Sequence, residues 1–226
     1  MEVLLRNVKF WGKNTLEILG ISVAGAAAML LFLGVAGTDY SGQEGVFSYM
    51  AQLYPYYLYI AGMFLNVILA VTYFQVYFSV LLTMNVTRKT IVAGIFGSLA
   101  GNILGIMALI QLIWRLFPGE ISSDGLRLFF PMAGILFLAT ALLGVLGTVI
   151  FRWGKAGTII MMIFCVFLGG LGGFWMAVAG RNGLDTELID ALSRHDFSAV
   201  LVIGLAFFVL AGIVSAAMTR KTEVRV

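Results

Sequence analysis

Six runs of apolar residues dominate the chain, each long enough to cross a bilayer as a helix: Leu16 to Gly37, Tyr57 to Leu82, Ile91 to Phe117, Leu128 to Phe151, Gly157 to Ala179 and Phe197 to Met218. One crossing takes about 20 residues, and inside lipid a helix satisfies its own backbone hydrogen bonds. The pattern therefore predicts an all-α polytopic membrane protein with six transmembrane helices. Only Glu17 and Arg115 bring charge into these windows, each within three residues of an end, where a side chain reaches the headgroups. The plan is a single transmembrane domain over 1–226, with a cytoplasmic interfacial segment at 1–15, six spans in 16–218 and a cytoplasmic tail at 219–226.

The polar stretches carry patterns of their own. Leu4, Val8 and Trp11 share one arc of a helical wheel and Arg6, Lys9 and Lys13 the opposite arc, which predicts an amphipathic helix lying on the cytoplasmic leaflet. It serves either as a plain basic anchor or as a basic face for a cytoplasmic partner. In the first outer loop, Val46, Met50, Leu53 and Tyr54 stand at helical spacing before Pro55 and predict a short helix dipping toward the membrane. The last outer loop repeats the pattern with Leu184, Leu188, Ile189 and Leu192 opposite Asp185, Glu187, Asp190 and Arg194, and His195 caps that helix.

Composition strengthens this frame. Residues are 61% apolar and 11% charged, with mean hydropathy +1.02, against about 25% charged in soluble domains; a soluble enzyme and a nucleic-acid-binding chain are excluded. Cys165 is alone, so no internal disulfide or multi-cysteine metal site forms. Ten of the fourteen Lys and Arg residues fall on one side of the six spans: Arg6, Lys9, Lys13, Arg88, Lys89, Arg152, Lys155, Arg220, Lys221 and Arg225. This places both termini in the cytoplasm of a multi-pass plasma-membrane protein. Trp114, Trp175 and Tyr54, Tyr56, Tyr57 and Tyr59 are expected at the outer interface, Trp11 and Trp153 at the inner one. The basic stretch and long apolar run at the N-terminus do not read as a cleavable signal.

Three spans stand out chemically. The third carries Gly97, Gly101 and Gly105 every fourth residue, with Gly94, Ser98 and Ala100 nearby, a stripe that allows close helix approach. The fifth contains Gly169, Gly170, Gly172 and Gly173, which either pack closely or form a hinge. In the second, Tyr59, Asn66, Tyr73 and Tyr77 form one stripe and Thr72, Gln75 and Ser79 lie opposite; it either packs among helices or borders a cavity. No Asp, Glu, Lys or His stands in the middle of a span, so self-driven ion coupling is disfavoured. No histidine accompanies the span serines, no His-Glu-x-x-His occurs, and Gly154-Lys155 fails the phosphate-loop pattern because Val149 and Ala156 occupy its other positions.

The order of amphipathic helix, six spans, short basic second-to-third loop and amphipathic last outer segment resembles the ABC-2-type permease family over nearly the whole chain. The segment Asn85-Val86-Thr87-Arg88-Lys89-Thr90-Ile91 looks like the Gly/Asn-Val-Thr-Arg-Lys stretch of many small bacterial members. The chain departs from some relatives in its compact first outer loop. The resemblance implies a coupling helix at Asn85, Thr87, Arg88, Lys89 and Thr90 seated on a nucleotide-binding subunit, and a connecting helix with Arg6, Lys9, Trp11 and Lys13. It also implies pairing with a second, identical permease chain through the first and fifth spans, and two copies of a cytoplasmic ATPase that bind the ATP and Mg; no cofactor belongs to this chain, which is not itself an enzyme. Tyr59, Asn66, Thr72, Tyr73, Gln75, Tyr77 and the glycines at 169, 170, 172 and 173 would border the pathway of a hydrophobic or amphipathic cargo such as an antimicrobial or toxin peptide. The runner-up is the substrate-binding membrane component of an energy-coupled vitamin or metal uptake transporter, and a third class is a noncatalytic assembly or immunity factor.

Overall fold

A computed structural model of the chain describes residues 2–37, 46–83, 86–118, 129–163 and 198–220. Its elements are helical throughout: α1 (Glu2–Gly37), α2 (Val46–Thr72), a π-helical turn (Tyr73–Tyr77), α3 (Phe78–Thr83), α4 (Arg88–Leu116), α5 (Phe129–Trp153), α6 (155–163) and α7 (Ser198–Thr219). α2, the π turn and α3 are continuous and make one rod. Five rods are long and apolar enough to cross a membrane, as expected of an α-helical membrane protein. The predicted fifth span begins as α6; the rest of it, with Gly169, Gly170, Gly172 and Gly173, and the last outer loop with His195, lie outside the described residues.

Two boundaries differ from the sequence pattern. The N-terminal segment is not a separate surface helix: α1 runs unbroken for 36 residues, about 54 Å at 1.5 Å per residue. The amphipathic stretch and the first apolar run share helix propensity and no residue between them breaks the ladder, so one helix forms. Likewise the expected loop helix before Pro55 belongs to α2, which contains that proline in its interior. Proline removes one backbone donor, a loss that membrane helices absorb through neighbouring groups.

α4 is the centre of the bundle. Beside α1 it runs parallel, in a register set by small residues. A methyl at Gly94 would strike the Trp11 indole, one at Gly101 would lie 3.5 Å from Thr15 Cγ2, and one at Gly105 would come within 2.6 Å of Leu19 Cδ1. Ser98 completes the series through its hydroxyl, 2.9 Å from that of Thr15. The seam is therefore Gly94, Ser98, Gly101 and Gly105, with alternating spacing of four and three. Gly97, predicted to share it, faces open space. An α-helix turns 100° per residue, so a strict every-fourth-residue line drifts away from a nearly parallel neighbour, whereas the mixed spacing follows it.

On its other side α4 meets α5 and α7, which pack parallel with backbones touching. A Cβ on Gly134 would strike the Val200 carbonyl, and one on Gly204 the Gly134 carbonyl. Further along, the Phe96 ring fills a notch floored by Gly144 and Gly212, where added methyls would sit 2.9 and 3.7 Å from it, and it stacks edge-on against Phe208 at 5.2 Å. α5 also reaches α2: a methyl at Gly147 would lie 2.7 Å from the Ala70 carbonyl. Helix α5 ends on Gly154, whose φ of 56° is left-handed and whose N–H donates to the Ile150 carbonyl at 2.7 Å, a glycine cap that reverses the chain.

Glycine-to-alanine changes at two helix-interior sites should have opposite signs. Gly97→Ala adds a methyl in open space and is expected to stabilise by up to about 1 kcal/mol through helix propensity. Gly204→Ala drives the same methyl into backbone and is expected to destabilise by about 1 to 3 kcal/mol. Thermal unfolding of both variants in one detergent checks this; equal shifts would refute the close α5–α7 approach.

Candidate functional site

The polar stripe of α2 points into the bundle and is consumed by neighbouring helices. The Tyr59 hydroxyl donates to the Met132 carbonyl of α5 at 3.1 Å. Tyr73, in the π turn, accepts from Asn14 Nδ2 of α1 at 2.6 Å and lies 3.4 Å from the Ser98 hydroxyl of α4. Tyr77 packs edge-on against Tyr73 at 5.4 Å and against Phe10 at 5.9 Å. Trp11 closes the same cluster, 5.2 Å from Tyr73. A π turn inserts one extra residue into the helix; the Phe78 N–H reaches the Tyr73 carbonyl five residues back. Tyr73, Phe74 and Phe78 are all buried along this stretch.

The opposite stripe behaves differently. The Thr72 hydroxyl donates to its own helix at Ile68, and that of Ser79 to Gln75, while Gln75 is exposed. Of the predicted pathway residues, then, Tyr59, Asn66, Tyr73 and Tyr77 seal helix contacts, and Thr72 and Gln75 face outward.

Asn66 meets a partner that sequence reading missed. Asn102 Nδ2 donates to Asn66 Oδ1 at 3.0 Å, with both residues buried. Asn66 Nδ2 and Asn102 Oδ1 have no hydrogen-bond partner among the described residues. A signal for the pair existed, since these are the only two asparagines within the six apolar runs, and a mid-span amide gains by bonding across helices. Asn14 and Thr15 were also missed, and Ser98 was noted only as a small residue beside the glycine stripe; all three acquire their partners through the α1–α4 register.

At the end of the bundle where Arg88, Lys89, Arg152, Lys155 and Arg220 gather, Asn85 lies outside the described residues. Thr87 is the extended N-cap of α4, and its hydroxyl is 2.7 Å from that of Thr90. Only four residues separate α3 from α4, so the implied coupling segment is the cap and first turn of a long helix rather than a helix of its own. Lys89 and Thr87 are exposed. Arg88 turns inward, donating from Nη1 to the carbonyls of Thr219 at 3.1 Å and Arg220 at 3.0 Å.

The implied connecting helix divides as well. The Arg6 side chain lies outside the described residues, and Lys9 and Lys13 are exposed. Trp11 is buried among neighbouring helices, as is Trp114, which packs on Tyr56 at 5.5 Å. Trp153 is exposed at the basic end, in keeping with its expected place.

The register of α1 changes the place of one charge. Thr15 is level with Ser98 and Gly101, and Leu19 with Gly105; Glu17 therefore stands level with Asn102, the middle residue of α4. Glu17 pairs with Lys13 at 3.7 Å on the outward face, with side chains 61% and 79% exposed. A sequence window starting at Leu16 puts Glu17 at a span end; the register puts it half-way through the bundle. At that depth a charge facing lipid costs about 2.5 to 3.5 kcal/mol.

Against protein-family models, curated proteins and solved structures, the chain gives no match. The resemblance to ABC-2 permeases thus rests on the residues of this chain alone.

Asn66→Leu alone should strand the Asn102 amide and cost about 1 to 3 kcal/mol, whereas the Asn66→Leu/Asn102→Leu double variant should return close to the parent. A double-mutant cycle in denaturant measures the coupling, and additive losses would show that the pair does not act as a unit.

Proposed function

We propose that this chain is the transmembrane permease subunit of an ATP-driven exporter, paired with a second copy and coupled to separate cytoplasmic ATPase subunits. One observation carries the reading: the buried polar groups among the described residues, Ser22, Asn66, Ser98, Asn102, Thr140, Thr148, Ser215 and Thr219, are all uncharged. Among the described residues no Asp, Glu, Lys, Arg or His side chain is buried, and the Lys13–Glu17 ion pair faces outward; this supports an external source of free energy, with alternating states driven by movement of whole helices. The α2 stripe closes on neighbouring helices, which favours a cargo route along a face between chains, and a hydrophobic or amphipathic peptide suits walls of this composition. The exposed Thr87 and Lys89 are the groups best placed to meet the ATPase.

Pairing draws support from the Lys13–Glu17 ion pair. Charges at mid-depth avoid lipid by facing water or protein, and Gly12 and Gly20 on the same stretch of α1 leave room for close approach. A twofold axis along the membrane normal sets two α1 helices parallel, so that each Lys13 meets the other chain's Glu17.

Two measurements test the proposal. In proteoliposomes, cargo movement should require ATP and a nucleotide-binding chain and persist when proton and sodium gradients are dissipated; uphill transport by this chain alone on an ion gradient would end the reading. Co-expressed Lys13→Cys and Glu17→Cys chains should form a disulfide-linked dimer in membranes; if they do not while the protein runs as a monomer, the pairing fails separately.

A further inference from the structure

Within the segment the resemblance assigns to ATPase contact, Arg88 and Lys89 are adjacent cations with different surroundings. Two positive charges at a helix N-terminus are disfavoured by the aligned peptide dipoles, whereas the C-terminal end of another helix attracts them. The last carbonyls of a helix lack internal donors, and at the end of α7 side chains and the following turn supply several of them. The Thr219 hydroxyl donates to Ser215 and Ala216 at 2.9 and 3.3 Å, and the Arg220 N–H to Ala217 at 3.4 Å. Arg88, from a helix distant in sequence, donates to the carbonyls of Thr219 and Arg220. Lys89, one residue on, is exposed.

α7 in turn is tied to α5. One turn from the cap, the Thr148 hydroxyl donates to the Ser215 hydroxyl at 2.9 Å. Next to Thr148, Gly147 rests on the Ala70 carbonyl and on Phe74 at the start of the π turn. Displacement of the first turn of α4 therefore has a contiguous physical route through Arg88 into α7, then α5, and back to the one irregular turn of α2.

We propose that Arg88 is a positioning residue, an internal tie fastening the start of α4 to the end of α7, and that the outward contact in this segment falls to Lys89 and Thr87. What pulls on the tie rests on the ATPase reading; the tie itself does not. The test is hydrogen exchange by mass spectrometry on the full chain in lipid nanodiscs. Arg88→Gln should speed exchange at residues 216–220 by about tenfold, the loss of a charge-assisted cap, with a smaller rise around Thr148. Arg88→Lys should restore part of the protection, and Lys89→Gln should leave both regions unchanged. Equal exchange in Arg88→Gln and the parent, or an equal rise in Lys89→Gln, overturns the tie. When the purified nucleotide-binding chain is added, Arg88→Gln should bind it as the parent does yet lose nucleotide-driven changes in α7 exchange, while Lys89→Glu should bind at least tenfold more weakly. Equal loss of binding in both variants overturns the division of roles. If no nucleotide-binding chain associates with the parent, the permease reading falls and the exchange comparison still decides the tie.

Discussion

Close approach of helix backbones at glycine and serine is the constraint on which the bundle depends. Lipid tails are as apolar as leucine, so packed helices gain little from hiding apolar surface from one another and must gain through van der Waals contact and cross-helix hydrogen bonds. α4 obtains both at once: Gly94, Gly101 and Gly105 admit Trp11, Thr15 and Leu19, and Ser98 bonds within the same seam. The contact of α5 with α7 is tighter still, since Gly134 and Gly204 bring backbone against backbone. Phe96 then fills the notch left by Gly144 and Gly212, and a small residue on one helix becomes the socket for a large one on the next.

Polar side chains in the bundle divide into two groups with different consequences. Ser22, Thr72, Ser79 and Thr140 return their hydroxyls to carbonyls of their own helix, which hides the group but joins nothing. Asn14, Tyr59, Asn66, Tyr73, Ser98, Asn102, Thr148 and Ser215 bond across helices and fix depth and rotation. The π turn belongs with the second group, because its Tyr73 reaches Asn14 of α1 and Ser98 of α4 while its Phe74 packs at Gly147 of α5 and on Phe96 of α4. The Asn66–Asn102 pair leaves one donor and one acceptor without a partner among the described residues.

These contacts divide the molecular surface. Helices α4 and α5 are half-buried along their lengths, while α1 and α7 show most of their apolar residues outward. On α7 that outward face is apolar and suits lipid; on α1 it carries Glu17 at the level of Asn102 and Lys13 one turn away, and suits water or protein. The basic end divides in a comparable way, with Arg88 folded in against α7 and Lys89 left outside. Among the described residues, outward-facing charge thus gathers on one face of α1 and at one end of the bundle.

Hydropathy alone determined that the chain is a bundle of membrane-crossing helices, because a backbone in lipid must bond to itself; five of the expected runs lie in long helices, three of them at close to the expected limits and two in helices that begin earlier. Glycine spacing in the third span pointed to a packing seam, and the stripe of Tyr59, Asn66, Tyr73 and Tyr77 pointed to a face that is not lipid-facing. Tertiary structure decided what those features meet. It moved the seam from Gly97 to Gly94, since only the parallel course of α1 selects which side of α4 is covered. It gave Asn66 the partner Asn102 and turned Arg88 toward α7, contacts between residues far apart in sequence. It also set the depth of α1, and with it the position of Glu17. A hydropathy window measures distance from its own ends, whereas depth is measured against neighbouring helices, and that reference exists only once the helices have packed.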